Sequence, residues 1–227
     1  MALPGPTVAG HSGGVASVKS PVELSPVPVT TAPVARLTQL LFGLACYGTS
    51  MAMMTRSGLG LNPWDVLHEG VTDRTGLTFG TVTALTGVVV LALWIPLRQR
   101  PGIGTVANVL VIAVVVDLVR AVLPHPQHLV WQVPLLLGGI VLNGFATAAY
   151  VGARLGPGPR DGLMTGLSAR TRWSVRVVRT AIEITVLATG WLLGGTVGVG
   201  TVLYALTIGP LTQLFLPHVT WSPKRRD

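Results

Sequence analysis

The chain has 227 residues, 49% of them hydrophobic and only 11% charged, with a mean hydropathy of +0.62. A soluble domain carries about 25% charged residues, so this chain has too few to solvate a globular surface, and a large soluble core does not fit its length. The net charge of +8 comes from Lys and Arg placed between apolar runs rather than on one patch, which argues against nucleic acid and for anchoring in a membrane.

In chain order, residues 1–35 are rich in Pro, Gly, Val, Ser and Thr and lack the basic start and unbroken apolar core of a signal peptide. They read as a disordered cytoplasmic tail. Six apolar stretches then follow, each long enough to cross a hydrocarbon core, which takes about 20 helical residues. They are Leu37–Thr55, Phe79–Leu97, Ile103–Leu123, Leu129–Val151, Val175–Leu193 and Val197–Leu216. Very short links join the second to the third and the fifth to the sixth, so each pair reads as a helical hairpin. The links after the first and fourth are longer and rich in Gly and Pro. Residues 218–227 form a basic tail. Cys46 is the single cysteine and reads as a small packing residue.

With the N-terminus inside, the cytoplasmic side holds Lys19, Arg36, Arg98, Arg100, Arg154, Arg160, Arg170, Arg172, Lys224, Arg225 and Arg226. The other side keeps Arg56, Arg74 and Arg120. This bias predicts both termini in the cytoplasm and an even number of spans.

Sliding the sequence against itself by 96 residues gives roughly 25 identities between Leu40 and Leu118 without a gap. Gly43 and Gly48 align with Gly139 and Gly144. Gly60, Pro63, Asp65, Leu67 and Gly70 align with Gly156, Pro159, Asp161, Leu163 and Gly166. Gly102, Gly104 and Thr105 align with Gly198, Gly200 and Thr201. Each unit holds three spans, so the second copy enters the membrane from the opposite side. The expected fold is an all-α membrane protein: six transmembrane helices as two inverted-topology three-helix repeats, 36–123 and 129–217.

The segments from Gly58 to Asp65 and from Gly156 to Asp161 are the most informative. Glycines at 58, 60, 156 and 158 permit unusual turns and close approach, and Pro63 and Pro159 stop a helix from continuing upstream. Asp65 and Asp161 then open short amphipathic segments, Val66–Thr72 and Gly162–Ser168. There they either cap a helix N-terminus or line a cavity reached by a loop that dips into the membrane. Glu183 sits mid-span, where an ionisable group is costly and marks a function or an ion pair, and Arg179 at i−4 is its natural partner. Asp117, toward the end of the third span, and Trp64, within the Gly-Pro loop, complete the candidate substrate path.

Asn108 and Asn143 read as interhelical hydrogen-bond partners. Asp65, His68 and Glu69 share a helix face, but the second copy has Met164 and Thr165 there, which argues against a metal site. No motif for an enzyme or a cofactor is present. Trp131, Trp191 and Trp221 fall near span ends, where an indole holds the interface.

Gly58-Leu-Gly-Leu-Asn-Pro-Trp-Asp65-Val-Leu-His, Gly102-Ile-Gly-Thr105, Gly156-Pro-Gly-Pro-Arg-Asp161-Gly-Leu-Met and Gly198-Val-Gly-Thr201 resemble the YczE/YyaS/YitT family of bacterial membrane proteins, most closely its YczE-like branch. The resemblance runs from about Arg36 to Phe215. It implies a bacterial inner-membrane location and a multi-span fold, and it carries over no functional residue.

The leading expectation is a small permease, or secondary-transporter-like protein, for a small molecule or ion, with its path at the repeat interface and the lipid bilayer as its surroundings. The alternatives are a non-transporting helper that binds a protein or lipid partner, a homo-oligomer among them, and the substrate-binding subunit of a larger transporter.

Overall fold

The computed structural model describes residues 27–222. Among these, eight α-helices account for all regular structure. They are α1 (Pro33–Ser57), α2 (Pro63–Thr75), α3 (Phe79–Leu97), α4 (Ile103–Val122), α5 (Leu129–Gly152), α6 (Pro159–Thr171), α7 (Val175–Leu192) and α8 (Val199–Val219). Five of them, α1, α3, α4, α5 and α8, are long and apolar enough to cross a membrane. The remaining expected span, α7, carries Arg176, Arg179 and Glu183 within 18 residues and is not among the five. Most of the first tail and residues 223–227 of the last lie outside the described residues, and α1 begins at Pro33 rather than after the tail.

The helix starts repeat. Those of α1 to α4 recur in α5 to α8, each 96 residues on. Local chemistry explains the boundaries. Thr78 caps α3 through the Thr81 amide, and Ser174 caps α7 through the Val177 amide, each with a hydroxyl that satisfies a free N–H. Gly102 and Gly198 precede α4 and α8, and there the Thr105 and Thr201 hydroxyls accept from the two glycine amides at 3.1 and 3.2 Å.

The links after α1 and α5 hold the short helices α2 and α6, longer than the sequence suggested. Their caps correct one expectation. Asn62 caps α2, accepting from the Trp64 and Asp65 amides at 3.1 and 3.0 Å. Asp65 stands one turn in, with its carboxylate free for other contacts. Gly158 precedes α6 without a side-chain cap.

The long helices α1 and α5 pack against each other at the centre, with α4 against α1 and α8 against α5. Small residues make the close contacts. A Cβ on Gly43 would lie 2.8 Å from the Tyr150 amide, and one on its counterpart Gly139 would lie 2.8 Å from Met54. Each short helix leans on the opposite half, α2 on α7 and α6 on α3. The glycine motifs lock the halves in the same crossed way. Gly200 N–H donates to Leu59 O at 2.8 Å, and Gly104 N–H donates to Leu155 O at 3.0 Å. The Leu61 amide donates to the Thr201 hydroxyl, and the Thr105 hydroxyl donates to Pro157 O.

One relationship breaks the pattern. α3 packs along α4, but α7 and α8, which hold the corresponding places, have almost no contact.

Arg36 also departs from its expected role as a surface anchor. It is fully buried and donates to the carbonyls of Val27, Pro28, Thr31, Ala153 and Arg154, with Trp221 stacked on its guanidinium. It thereby fastens the segment before α1 to the end of α5.

Candidate functional site

A cavity of about 280 Å³ lies between the two halves, and all eight helices contribute to its wall. The N-terminal ends of both short helices open onto it: Pro63 and Trp64 from α2, and Pro159, Arg160 and Asp161 from α6. The long helices add tyrosines and charge, with Tyr47 from α1, Tyr150 from α5, Arg179 and Glu183 from α7, and Tyr204 from α8. Asn62, one residue before α2, belongs to the same wall.

The best-built corner joins α2 to α6. Asp65 is fully buried. One carboxylate oxygen accepts from the Asn62 side-chain amide at 2.5 Å. The other lies 3.4 Å from His68 Nδ1 and 3.9 Å from an Arg160 nitrogen. The Arg160 guanidinium also covers the Trp64 ring at 4.7 Å. The Thr83 hydroxyl donates to Phe79 O at 2.8 Å and sits 3.2 Å from His68 Nδ1. Both neighbours of Nδ1 are therefore acceptors, which assigns the proton to Nδ1. His68 Nε2 is left facing the interior, buried and without a partner, and so is Trp64 Nε1. Buried polar atoms with no partner inside a cavity are what a ligand or solvent would satisfy.

On the facing wall the Tyr150 hydroxyl donates to Asp161 at 2.9 Å. Above them Tyr204 donates to Asn143, which donates to Ser50, at 3.0 and 2.7 Å. Asn143 therefore links three helices, the role its sequence context suggested. On α7, Arg179 and Glu183 form an ion pair at 2.9 Å, with the Arg179 side chain about half exposed.

Of the six candidate path residues, Trp64, Asp161, Arg179 and Glu183 line the cavity. Asp65 stands directly behind that wall. Asp117 does not line it: its carboxylate accepts from the Gly80 amide at 2.7 Å and ties α4 to the first turn of α3. The structural glycines are where the backbone requires them. Gly60 and Gly156 have φ of +115 and +126, which side chains avoid. Gly102 and Gly198 sit against the backbone of Leu155 and Leu59. Glu69, which shares a helical turn with His68, is used elsewhere and accepts from the Thr196 amide at 2.6 Å.

Sequence reasoning missed Arg160, which it counted among the cytoplasmic anchors, and the Asp65–His68 pair, which it weighed only as metal ligands. A signal for Arg160 existed, since the repeat aligns it with Trp64, a residue already singled out.

Residues 34–217 match the family described as "Family of unknown function (DUF6198)". The chain belongs to this family. A protein of Haemophilus influenzae described as an "Uncharacterized protein" is 41% identical over 85% of this chain and 91% of its own length. The "Uncharacterized membrane protein YczE" of Bacillus subtilis is 33% identical over 77% of this chain and 81% of its own. The "Uncharacterized protein YyaS" of the same organism is 26% identical over 78% and 90%. No solved structure matches. The matched region takes in every helix that lines the cavity, and the YczE description agrees with the five membrane-length helices in placing the family in a membrane.

Proposed function

We propose that the chain is a small permease of the bacterial inner membrane, with its substrate path through the cavity between two inverted-topology repeats. The observation that carries this reading is the cavity itself. It sits at the junction of the halves, every helix lines it, and it holds Arg160, Asp161, Arg179 and Glu183. Charges at such depth are costly and mark pathways. Short helices whose N-termini meet at a cavity between repeats are a recurring device of secondary transporters. The helix starts that recur 96 residues on support the repeat.

In this reading α7 is the sixth span. Its charged face is turned to the cavity, and both termini lie in the cytoplasm, as the Lys and Arg bias favours. His68 takes up and gives back a proton at the wall of the path, and Asp161 meets the substrate from the other half.

The test uses single cysteines at Asp65, Asp161 and Glu183 in a Cys46→Ala background, probed in sealed vesicles by a small water-soluble thiol reagent. The expected result is labelling of all three, with position 183 reached from at least one face. Silence at 161 and 183 from both faces would remove the aqueous path and the permease with it.

A further inference from the structure

Gly87 and Glu183 hold corresponding places in α3 and α7, 96 residues apart. A side chain at Gly87 would meet Val109 of α4 at 3.0 Å, so the missing one lets α3 lie along α4. In α7 that place carries a carboxylate, and α7 and α8 stand apart. α7 buries only Val178 and Gly190 of its length. The residues at the seam, Arg179 and Glu183 from α7 and Gly209 and Thr212 from α8, also line the cavity. An added Cβ on Gly209 would meet nothing within 4 Å, whereas its counterpart Ala113 is buried among neighbours. The outer faces beside the seam are apolar: Ile184 is 61% exposed and Leu206 69%. Side chains of that kind suit acyl chains rather than water.

The charge balance inside restricts the ligand. Asp65 faces Arg160, and Arg179 pairs with Glu183. Among the described residues Asp161 has no cation within ion-pair distance, and its recorded side-chain partner is the Tyr150 hydroxyl. Across the cavity His68 Nε2 offers a lone pair with no donor. An ammonium group is a donor suited to either acceptor. An anionic head near Asp161 and Glu183 would be opposed by two carboxylates, while Arg160 and Arg179, the described cations of the wall, are turned to Asp65 and Glu183.

We propose that the seam between α7 and α8 is a lateral opening from the bilayer into the cavity, and that its ligand is an amphiphile with an amine-bearing head. The head reaches Asp161, and the chain stays between α7 and α8, in contact with lipid. This deepens the permease reading, but the opening stands on the geometry of the seam alone.

The test places bimane on Thr212→Cys in the Cys46→Ala chain, in nanodiscs whose lipids are brominated along the chain. Lipid reaching the seam quenches the fluorophore. Gly209→Phe, which fills open space one turn away without itself quenching the label, should return the quenching to background. Hexadecylamine should displace the brominated lipid and restore fluorescence, hexadecyl sulfate should not, and Asp161→Asn should abolish the difference. An unquenched Thr212 label, or quenching indifferent to Gly209→Phe, overturns the opening. Equal displacement by the two amphiphiles overturns the amine assignment. Sealed-vesicle accessibility at positions 161 and 183 is read separately. Aqueous labelling with no lipid quenching leaves the permease and removes the lateral route. Quenching without aqueous labelling does the reverse.

Discussion

Arg160 of α6 sits over the Trp64 ring of α2 at 4.7 Å and reaches toward Asp65 at 3.9 Å, so a residue of the second half closes the charge of the first. An aromatic face and a carboxylate together are matched by a planar guanidinium and poorly by an ammonium. Arg160→Lys should therefore keep the fold and lose most activity, and Arg160→Ala should lose activity and also lower the melting temperature. The stacking alone is worth about 2 kcal/mol when desolvated. Flux in liposomes and melting in detergent, measured on both variants, separate the two effects.

Asn62 and Asp65 divide the labour that the sequence assigned to Asp65 alone. Asn62 satisfies two amides at the start of α2 and donates to the buried carboxylate. Asn62→Ala should cost about 2 kcal/mol of stability through the lost cap and the orphaned oxygen. Asp65→Asn keeps the cap and should leave the melting temperature nearly unchanged while removing activity. If Asp65→Asn unfolds the protein and Asn62→Ala does not, the division is wrong.

His68 presents Nε2 to the cavity while Nδ1 is held between Asp65 and Thr83. Burial pushes the His68 imidazole below its ordinary range, so it stays neutral through neutral pH and gains charge only on the acid side. Wild-type flux should change as the pH falls below that ordinary range, and His68→Gln should hold the neutral-limb rate throughout. Thr83→Val, which frees Nδ1 on one side, should shift the profile without abolishing it. A profile unchanged by His68→Gln would assign proton handling to another group.

Gly60 and Gly76 both have positive φ, yet only Gly60 is crowded. A Cβ there would lie 2.8 Å from the Gly198 amide, whereas at Gly76 it meets nothing. Gly76→Ala should cost about 1 kcal/mol from backbone strain. Gly60→Ala should cost about 3 kcal/mol, because strain and overpacking add. Chemical or thermal unfolding of the two variants provides the comparison.

The sequence revealed what lies along the chain and hid what lies across it. Apolar runs placed the long helices within a few residues, the prolines at 63 and 159 marked the starts of the short ones, and the Arg179–Glu183 pair followed from spacing on one helix. Asp117 was misjudged because its partner is the Gly80 amide on another helix, a contact no local pattern records. Arg160 was misjudged because a loop arginine in a membrane chain counts first as an anchor, and only the approach of α6 to α2 turns it inward. The parting of α7 and α8 left a faint trace, the replacement of Gly87 by Glu183 among the many positions at which α3 and α7 differ. One difference among so many does not announce a seam.

The crossed glycine locks set the order in which this protein becomes complete. The Gly58–Leu61 turn of the first half is held by Gly200 and Thr201, and the Leu61 amide finds its acceptor 140 residues later. Backbone groups without partners are expensive in a bilayer. During synthesis the first half must therefore wait, its turn unsealed, until the start of α8 arrives. Chains cut short before that point carry an open turn in the membrane and present themselves to quality control. The final helix is the latch for a site whose other parts are already in place.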